Sequence, residues 1–130
     1  MNRPSGQVRD KMVSEVVTIE PSASVVDAAQ KMIEREKGPL PVMEGNQLVG
    51  MVTDRDIIAR VVAASRDPRE VLVSDIATKD LVTIGPDQDL DDARRMMAEH
   101  HLDRLLVVEG DQLVGIISEA DVRTDEGPLA

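Results

Sequence analysis

The chain has 130 residues, 42% of them hydrophobic, no cysteine, no Phe, Trp or Tyr, and a formal net charge of −10. That length allows one compact unit or two small, mutually dependent ones; the missing cysteines exclude disulfides, thiolate nucleophiles and cysteine-ligated metals. The missing aromatics exclude stacking platforms for single-stranded nucleic acid, and the acidity opposes phosphate-backbone binding, so no nucleic-acid partner is expected, although local arginines can hold a small anion.

No apolar run approaches the roughly 20 residues needed to span a bilayer. Residues 1–6 lead into charged sequence rather than a signal-peptide core, so no membrane contact and a cytoplasmic location are expected. In chain order, Val16-Val17-Thr18-Ile19 is a β-rich run ended by Glu20-Pro21. Ser22 or Ser24 then caps a helix predicted to run to about Glu36, with Val26, Ala29, Met32 and Ile33 on one apolar face and Gly38-Pro39 as the stop. Leu40 to Met43 and Gln47 to Val52 form a hairpin across Glu44-Gly45-Asn46, and a second helix is predicted from Asp54 to about Ser65. Arg66-Asp67-Pro68-Arg69-Glu70 is a polar connector. The β-α-β-β-α order then repeats: a strand at Leu81 to Ile84, a helix capped by Asp87 or Asp89 and ending near His100, and a hairpin of Leu105 to Val108 with Leu113 to Ile117. A final helix from Glu119 should be cut short by the breakers from Thr124 onward. His100 and His101 lie about 100° apart on a helix, which suits a solvated helix end better than joint ligation of one metal, so no metal site is expected.

The repetition is close. Val8, Asp10, Val17, Thr18, Ile19, Pro21 and Met32 recur as Val73, Asp75, Val82, Thr83, Ile84, Pro86 and Met97; Leu40, Val42, Gly45, Gly50 and Asp56 recur as Leu105, Val107, Gly110, Gly115 and Asp121. The offset is always 65 (115 − 50), too long for a solenoid repeat, which points to a duplicated domain whose copies pack about a pseudo-twofold axis. The stretch Gly50-Met51-Val52-Thr53-Asp54-Arg55-Asp56 returns as Gly115-Ile116-Ile117-Ser118-Glu119-Ala120-Asp121. Each copy is a buried strand breaking into a helix start, where free N–H groups and short polar side chains gather, a place to hold a small polar ligand.

Together with Val8-Arg9-Asp10-Lys11-Met12, Val17-Thr18-Ile19-Glu20-Pro21 and Leu40-Pro41-Val42, these motifs resemble the cystathionine-β-synthase (CBS) domain, in the tandem pair called a Bateman module, over nearly all of Val8 to Arg123. The resemblance implies a mixed α+β fold of two pseudo-twofold-related βαββα units packed sheet to sheet. Residues 8–66 would be the first domain, 73–124 the second, and 1–7 and 125–130 flexible termini of a small stand-alone protein. It further implies clefts between the units, homodimerisation into a flat disc, and non-catalytic sensing of adenosine-containing nucleotides such as AMP, ADP or ATP, with signals passed to an unknown effector protein.

In such clefts Asp56 or Asp121 would accept hydrogen bonds from ribose hydroxyls, and Thr53 or Ser118 would donate to a phosphate. Thr18, Ile19, Thr83 and Ile84, with Leu40, Val42, Leu105 and Val107, would supply backbone groups and aliphatic walls for adenine. The phosphate ends diverge: Arg104 stands where the first copy has Pro39, and Arg55 corresponds to Ala120, so unequal affinities are expected. Asp54 and Glu119 disfavour a triphosphate unless Mg²⁺ accompanies it; no cofactor is otherwise required. The plainer alternatives are helix capping for Thr53, Ser118, Asp54 and Asp56 and a surface ion pair for Arg104. At the level of function, the alternatives are a dimerising scaffold with vestigial clefts and a sensor of S-adenosylmethionine or NAD. No nucleophile–base pair or Gly-rich phosphate loop supports an enzyme.

Overall fold

Each repeat couples one long amphipathic segment to a glycine-turned hairpin, and the computed structural model, which describes residues 6–35 and 39–126, converts that pattern into regular elements. In chain order they are α1 (Val8–Lys11), α2 (Val25–Arg35), β1 (Leu40–Glu44), β2 (Gln47–Val52), α3 (Asp54–Ile57, continued by a π-helical turn, Ile58–Val62) and a 3-10 turn (Pro68–Glu70). The second half adds α4 (Val73–Ile76), β3 (Thr83–Ile84), α5 (Leu90–His100), β4 (Arg104–Glu109), β5 (Gln112–Ser118) and α6 (Glu119–Glu126).

Both hairpins are antiparallel, both turn on a glycine at φ 64°, and both carry a register irregularity at the same repeat position, Val42/Met43 and Val107/Val108. A left-handed backbone at the turn is what glycine allows at no steric cost. β3 joins β4 in parallel, whereas the run predicted as the matching strand of the first repeat reduces to a single parallel bridge from Ile19 to Val42.

The chain divides into two compact units: Val17–Leu81 forms one, and the segments before and after it form the other. The sequence repeat and the spatial units are therefore out of step. α1 belongs by sequence to the first repeat, yet Val8 N–H donates to Gln88 O (2.8 Å), Arg9 N–H to Pro86 O (2.9 Å), and Val13 pairs with Ile116. α4 makes the equivalent contacts in the other unit: Val73 N–H to Ala23 O (2.8 Å), Ser74 N–H to Pro21 O (3.0 Å), and Thr78 paired with Met51. Each lead-in segment thus completes the core of the other repeat. Val73 and Ile76 join Ile19, Val25, Ala28, Met32, Leu40, Val42, Val52 and Val61 in one core, while Val8 joins Ile84, Leu90, Ala93, Met97, Leu105, Val107, Ile117 and Val122 in the other.

The recurring Gly50 and Gly115 are explained by these docked segments. A Cβ at Gly50 would lie 3.0 Å from Thr78 O, and one at Gly115 would lie 2.9 Å from Val13 O. A side chain there would push away the backbone that closes the sheet.

Ser24, rather than Ser22, caps α2, its hydroxyl accepting Asp27 N–H at 3.1 Å; Asp89, rather than Asp87, holds the N-cap position of α5. His101 ends α5 in a left-handed conformation, so the histidine pair sits, exposed, at a helix C-terminus. The second helix of the first repeat starts at Asp54 as expected but changes to i→i+5 bonding, with Ala63 N–H donating to Ile58 O (2.8 Å). α6 continues to Glu126, past the predicted break at Thr124. The predicted helix end at Glu36, the stop at Gly38 and most of the expected flexible termini lie outside the described residues.

Candidate functional site

The polar groups singled out from sequence collect where β2 meets α3 and where β5 meets α6, each set within its own unit. A strand that ends at a hydroxyl residue and turns directly into a helix must satisfy its orphan N–H groups locally, and both copies do so with a reciprocal box. In the first, Thr53 N–H donates to Asp56 Oδ2 (2.8 Å) and Asp56 N–H donates to Thr53 Oγ1 (3.2 Å). In the second, Ser118 N–H donates to Asp121 Oδ2 (2.9 Å) and Asp121 N–H to Ser118 Oγ (3.2 Å). The Ser118 hydroxyl also donates to the same Asp121 oxygen at 2.9 Å. Helix capping is therefore an actual role of Thr53, Ser118, Asp56 and Asp121.

The basic residues differ in placement. Arg104 lies directly across the ladder from Ser118, where side chains share a face and facing Cβ atoms are about 5 Å apart. Arg104, Ser118 and Asp121 thus bring a guanidinium, a hydroxyl and a carboxylate to one end of the β4–β5 hairpin. Arg104 is half-buried, and among the described residues its guanidinium has one carboxylate contact, a long one of 3.4 Å from Nε to Asp103. In the first copy Arg55 is exposed on the opening turn of α3.

The residues expected from sequence to wall adenine lie partly in the cores and partly at the surface. Ile19, Leu40 and Val42, like Ile84, Leu105 and Val107, are buried as parts of the two hydrophobic cores. The Ile19 backbone is engaged on both sides, its N–H donating to Pro41 O (3.0 Å) and its carbonyl accepting Met43 N–H (2.9 Å). Lys31 Nζ donates to the Thr18 carbonyl at 2.9 Å. Thr18 and Ile19 border a groove of about 520 Å³ that runs along the polar face of α2, past Asp27, Lys31 and Glu34; Thr53, Arg55 and Asp56 are not among its lining residues. Thr83 is exposed beside buried Ile84.

Sequence reasoning missed the bonding pattern at Asp10 and Asp75. Each repeats the same carboxylate geometry at a helix start, Gln7 N–H donating to Asp10 Oδ2 and Leu72 N–H to Asp75 Oδ2, both at 2.9 Å. The signal was present, since Asp10 and Asp75 are themselves a repeat pair, but four-residue helices carry no periodicity to announce them.

A family model described as CBS domain matches residues 7–63 and 73–125, and the chain belongs to the CBS-domain family, as a tandem pair of the kind called a Bateman module. It is 37% identical over 119 residues to the CBS domain-containing protein YhcV of Bacillus subtilis, a match covering 92% of this chain and 84% of that one. An uncharacterized conserved protein from Pyrococcus horikoshii has a similar structure, with a TM-score of 0.85 at 28% identity over 97% of this chain and 96% of the other. The CBS domain pair of protein MJ0100, solved in complex with 5′-methylthioadenosine and S-adenosyl-L-methionine, also reaches 0.85, covering 98% and 100%; at 24% identity it bears on the fold alone.

CBS modules are regulatory, ligand-sensing and non-catalytic, and this chain is a module of that class. Among the described residues no group of three or more His, Asp or Glu side chains could hold a metal ion, and no helix is long and apolar enough to cross a membrane.

Proposed function

We propose that the chain senses an adenosine-containing nucleotide through its two strand-to-helix junctions, and that the second-repeat junction is the stronger phosphate binder. The observation that carries this is the pairing of Arg104 opposite Ser118, with Asp121 bonded to Ser118. A guanidinium offers paired donors to phosphate oxygens, a carboxylate accepts from vicinal ribose hydroxyls, and the helix N-terminus adds positive potential. The first junction keeps the hydroxyl and carboxylate of Thr53 and Asp56 but relies on exposed Arg55, so its affinity is lower. Glu119 and Asp54 at the two helix starts favour a mono- or diphosphate over a triphosphate unless Mg²⁺ accompanies it. Binding changes the output to an effector only to the extent that the ligand prefers one arrangement of the module.

Isothermal titration of the full chain with AMP, ADP, ATP, NAD and S-adenosylmethionine tests this. Arg104→Ala should weaken phosphorylated ligands about tenfold or more while leaving adenosine itself little changed. Absence of heat at millimolar ligand, or equal loss for adenosine and AMP, would contradict it.

One observation favours a second role, a scaffold with vestigial sites: Asp10 and Asp75 show that the same carboxylate geometry arises at helix starts of four residues. A melting temperature unmoved by every nucleotide would support that role, because a ligand selective for the native state must stabilise it.

A further inference from the structure

The groove of about 520 Å³ beside α2 has no part in the strand-to-helix junctions. Glu20, Asp27 and Glu34 line it with carboxylates, and Lys31 with an ammonium. Among the described residues none of these three carboxylates forms an ion pair. Lys31 is committed elsewhere, its Nζ donating to Thr18 O at 2.9 Å. Ala23 and Met43, both half-buried, supply apolar wall. The space exceeds one side chain and falls in the usual range of ligand sites, roughly 300–1,000 Å³.

The second repeat shows what this arrangement holds. Asp27 and Glu34 correspond to Asp92 and Glu99, and between those two stands Arg95, whose Nη2 meets Asp92 Oδ1 at 2.6 Å while Glu99 acts on the same guanidinium. In the first repeat that position is Gln30, exposed and neutral. The first-repeat groove therefore keeps the carboxylates of a guanidinium site and lacks the guanidinium.

The spacing indicates what supplies it. Asp27 and Glu34 are seven residues apart (34 − 27) on one helix face, about 10 Å along the axis. A segment in the polyproline II conformation, a major conformer of unfolded chains, repeats about every three residues and rises about 9 Å in that span. Two arginines at i and i+3 of such a segment share one side at nearly the separation of the two carboxylates.

We propose that the groove docks an unfolded, arginine-bearing segment of a partner protein, with guanidinium groups three residues apart paired to Asp27 and Glu34. The arginine stems lie along Ala23 and Met43, as long charged side chains do on apolar surface. The formal net charge of −10 adds long-range attraction for a basic partner. The site is confined to one unit and is independent of the nucleotide reading.

Fluorescence anisotropy of a labelled peptide, Arg-Ala-Ala-Arg capped at both ends, titrated with the full chain at low salt tests this. Asp27→Asn and Glu34→Gln should each weaken binding about fivefold or more with an unchanged circular dichroism spectrum. Gln30→Arg, which installs the second repeat's own guanidinium, should weaken it as much, whereas Glu99→Gln should have no effect. A peptide of the same charge with its arginines adjacent should bind several-fold more weakly. No binding at millimolar peptide, a Gln30→Arg protein that binds as the wild type does, equal losses in Glu34→Gln and Glu99→Gln, or equal binding of the two peptides would each overturn the proposal. Free arginine or spermidine that binds as tightly as the peptide would overturn the assignment to a partner segment.

Discussion

Gly50 and Gly115 are buried because a docked backbone segment passes within about van der Waals contact of each Cα, and the two are not equally constrained. At Gly115 a new methyl would meet both Val13 O and Met12 Sδ at 2.9 Å; at Gly50 the closest atom is Thr78 O at 3.0 Å. Gly115→Ala should therefore destabilise by about 1–3 kcal/mol, and Gly50→Ala by less, as read from urea unfolding midpoints. Equal or negligible effects would show that residues 12–13 give way easily. The identity of these glycines was readable in the sequence as a repeat; their reason was not, since it lies in a segment dozens of residues away. The same holds for Asp56 and Asp121. Their position at a strand-to-helix junction was legible, but only the bonds at Asp10 and Asp75 reveal how much of that recurrence helix capping accounts for.

At the scale of elements, the hairpins and the long helices follow from local pattern, apolar runs around a glycine turn and helix signals behind a serine or aspartate cap, but α2 buries Val25, Ala28 and Met32 rather than the expected face of Val26, Ala29, Met32 and Ile33, of which Ile33 is 76% exposed. The short helices α1 and α4 and the missing first-repeat strand do not, because four residues show no period and a single bridge needs only one residue pair. The connector also resolves into an element, the 3-10 turn at Pro68, whose N-cap is Asp67. Asp67 Oδ1 accepts Arg69 N–H at 3.0 Å and its Oδ2 receives the Arg69 guanidinium at 3.0 Å, which together hold its carboxyl below the usual range. On α5, Arg95 lowers Asp92 in the same way through a 2.6 Å hydrogen bond. Both folded values lie below the unfolded one of about 3.9, so the contribution is complete above that pH and disappears as pH falls through the folded values. Acidification below about pH 4 should lower the melting temperature slightly, and the decrease should be smaller in Arg69→Ala and Arg95→Ala; a drop centred near neutrality would contradict this assignment.

At the scale of the whole molecule, the duplicated sequence does not fold as two consecutive beads. Val8, fully buried, belongs to the core built by the second repeat, so Val8→Ala should lower hydrogen-exchange protection in β4 and β5 while sparing β1 and β2. The opposite pattern would restore the sequential picture. The repeat also distributes chemistry unevenly: the first copy has the exposed strip of Ile58 and Val62, and the second has Arg104 beside Ser118 and Asp121. The proposed division of labour assigns the anionic ligand to the second copy. Titration of AMP into the wild type, Asp121→Ala and Asp75→Ala tests that division most directly. Both variants lose a helix-start carboxylate worth about 0.5–2 kcal/mol of stability, but only Asp121→Ala should lose AMP affinity, by about tenfold or more. Equal binding by all three proteins, or equal loss in both variants, would contradict a ligand role for the second-repeat junction.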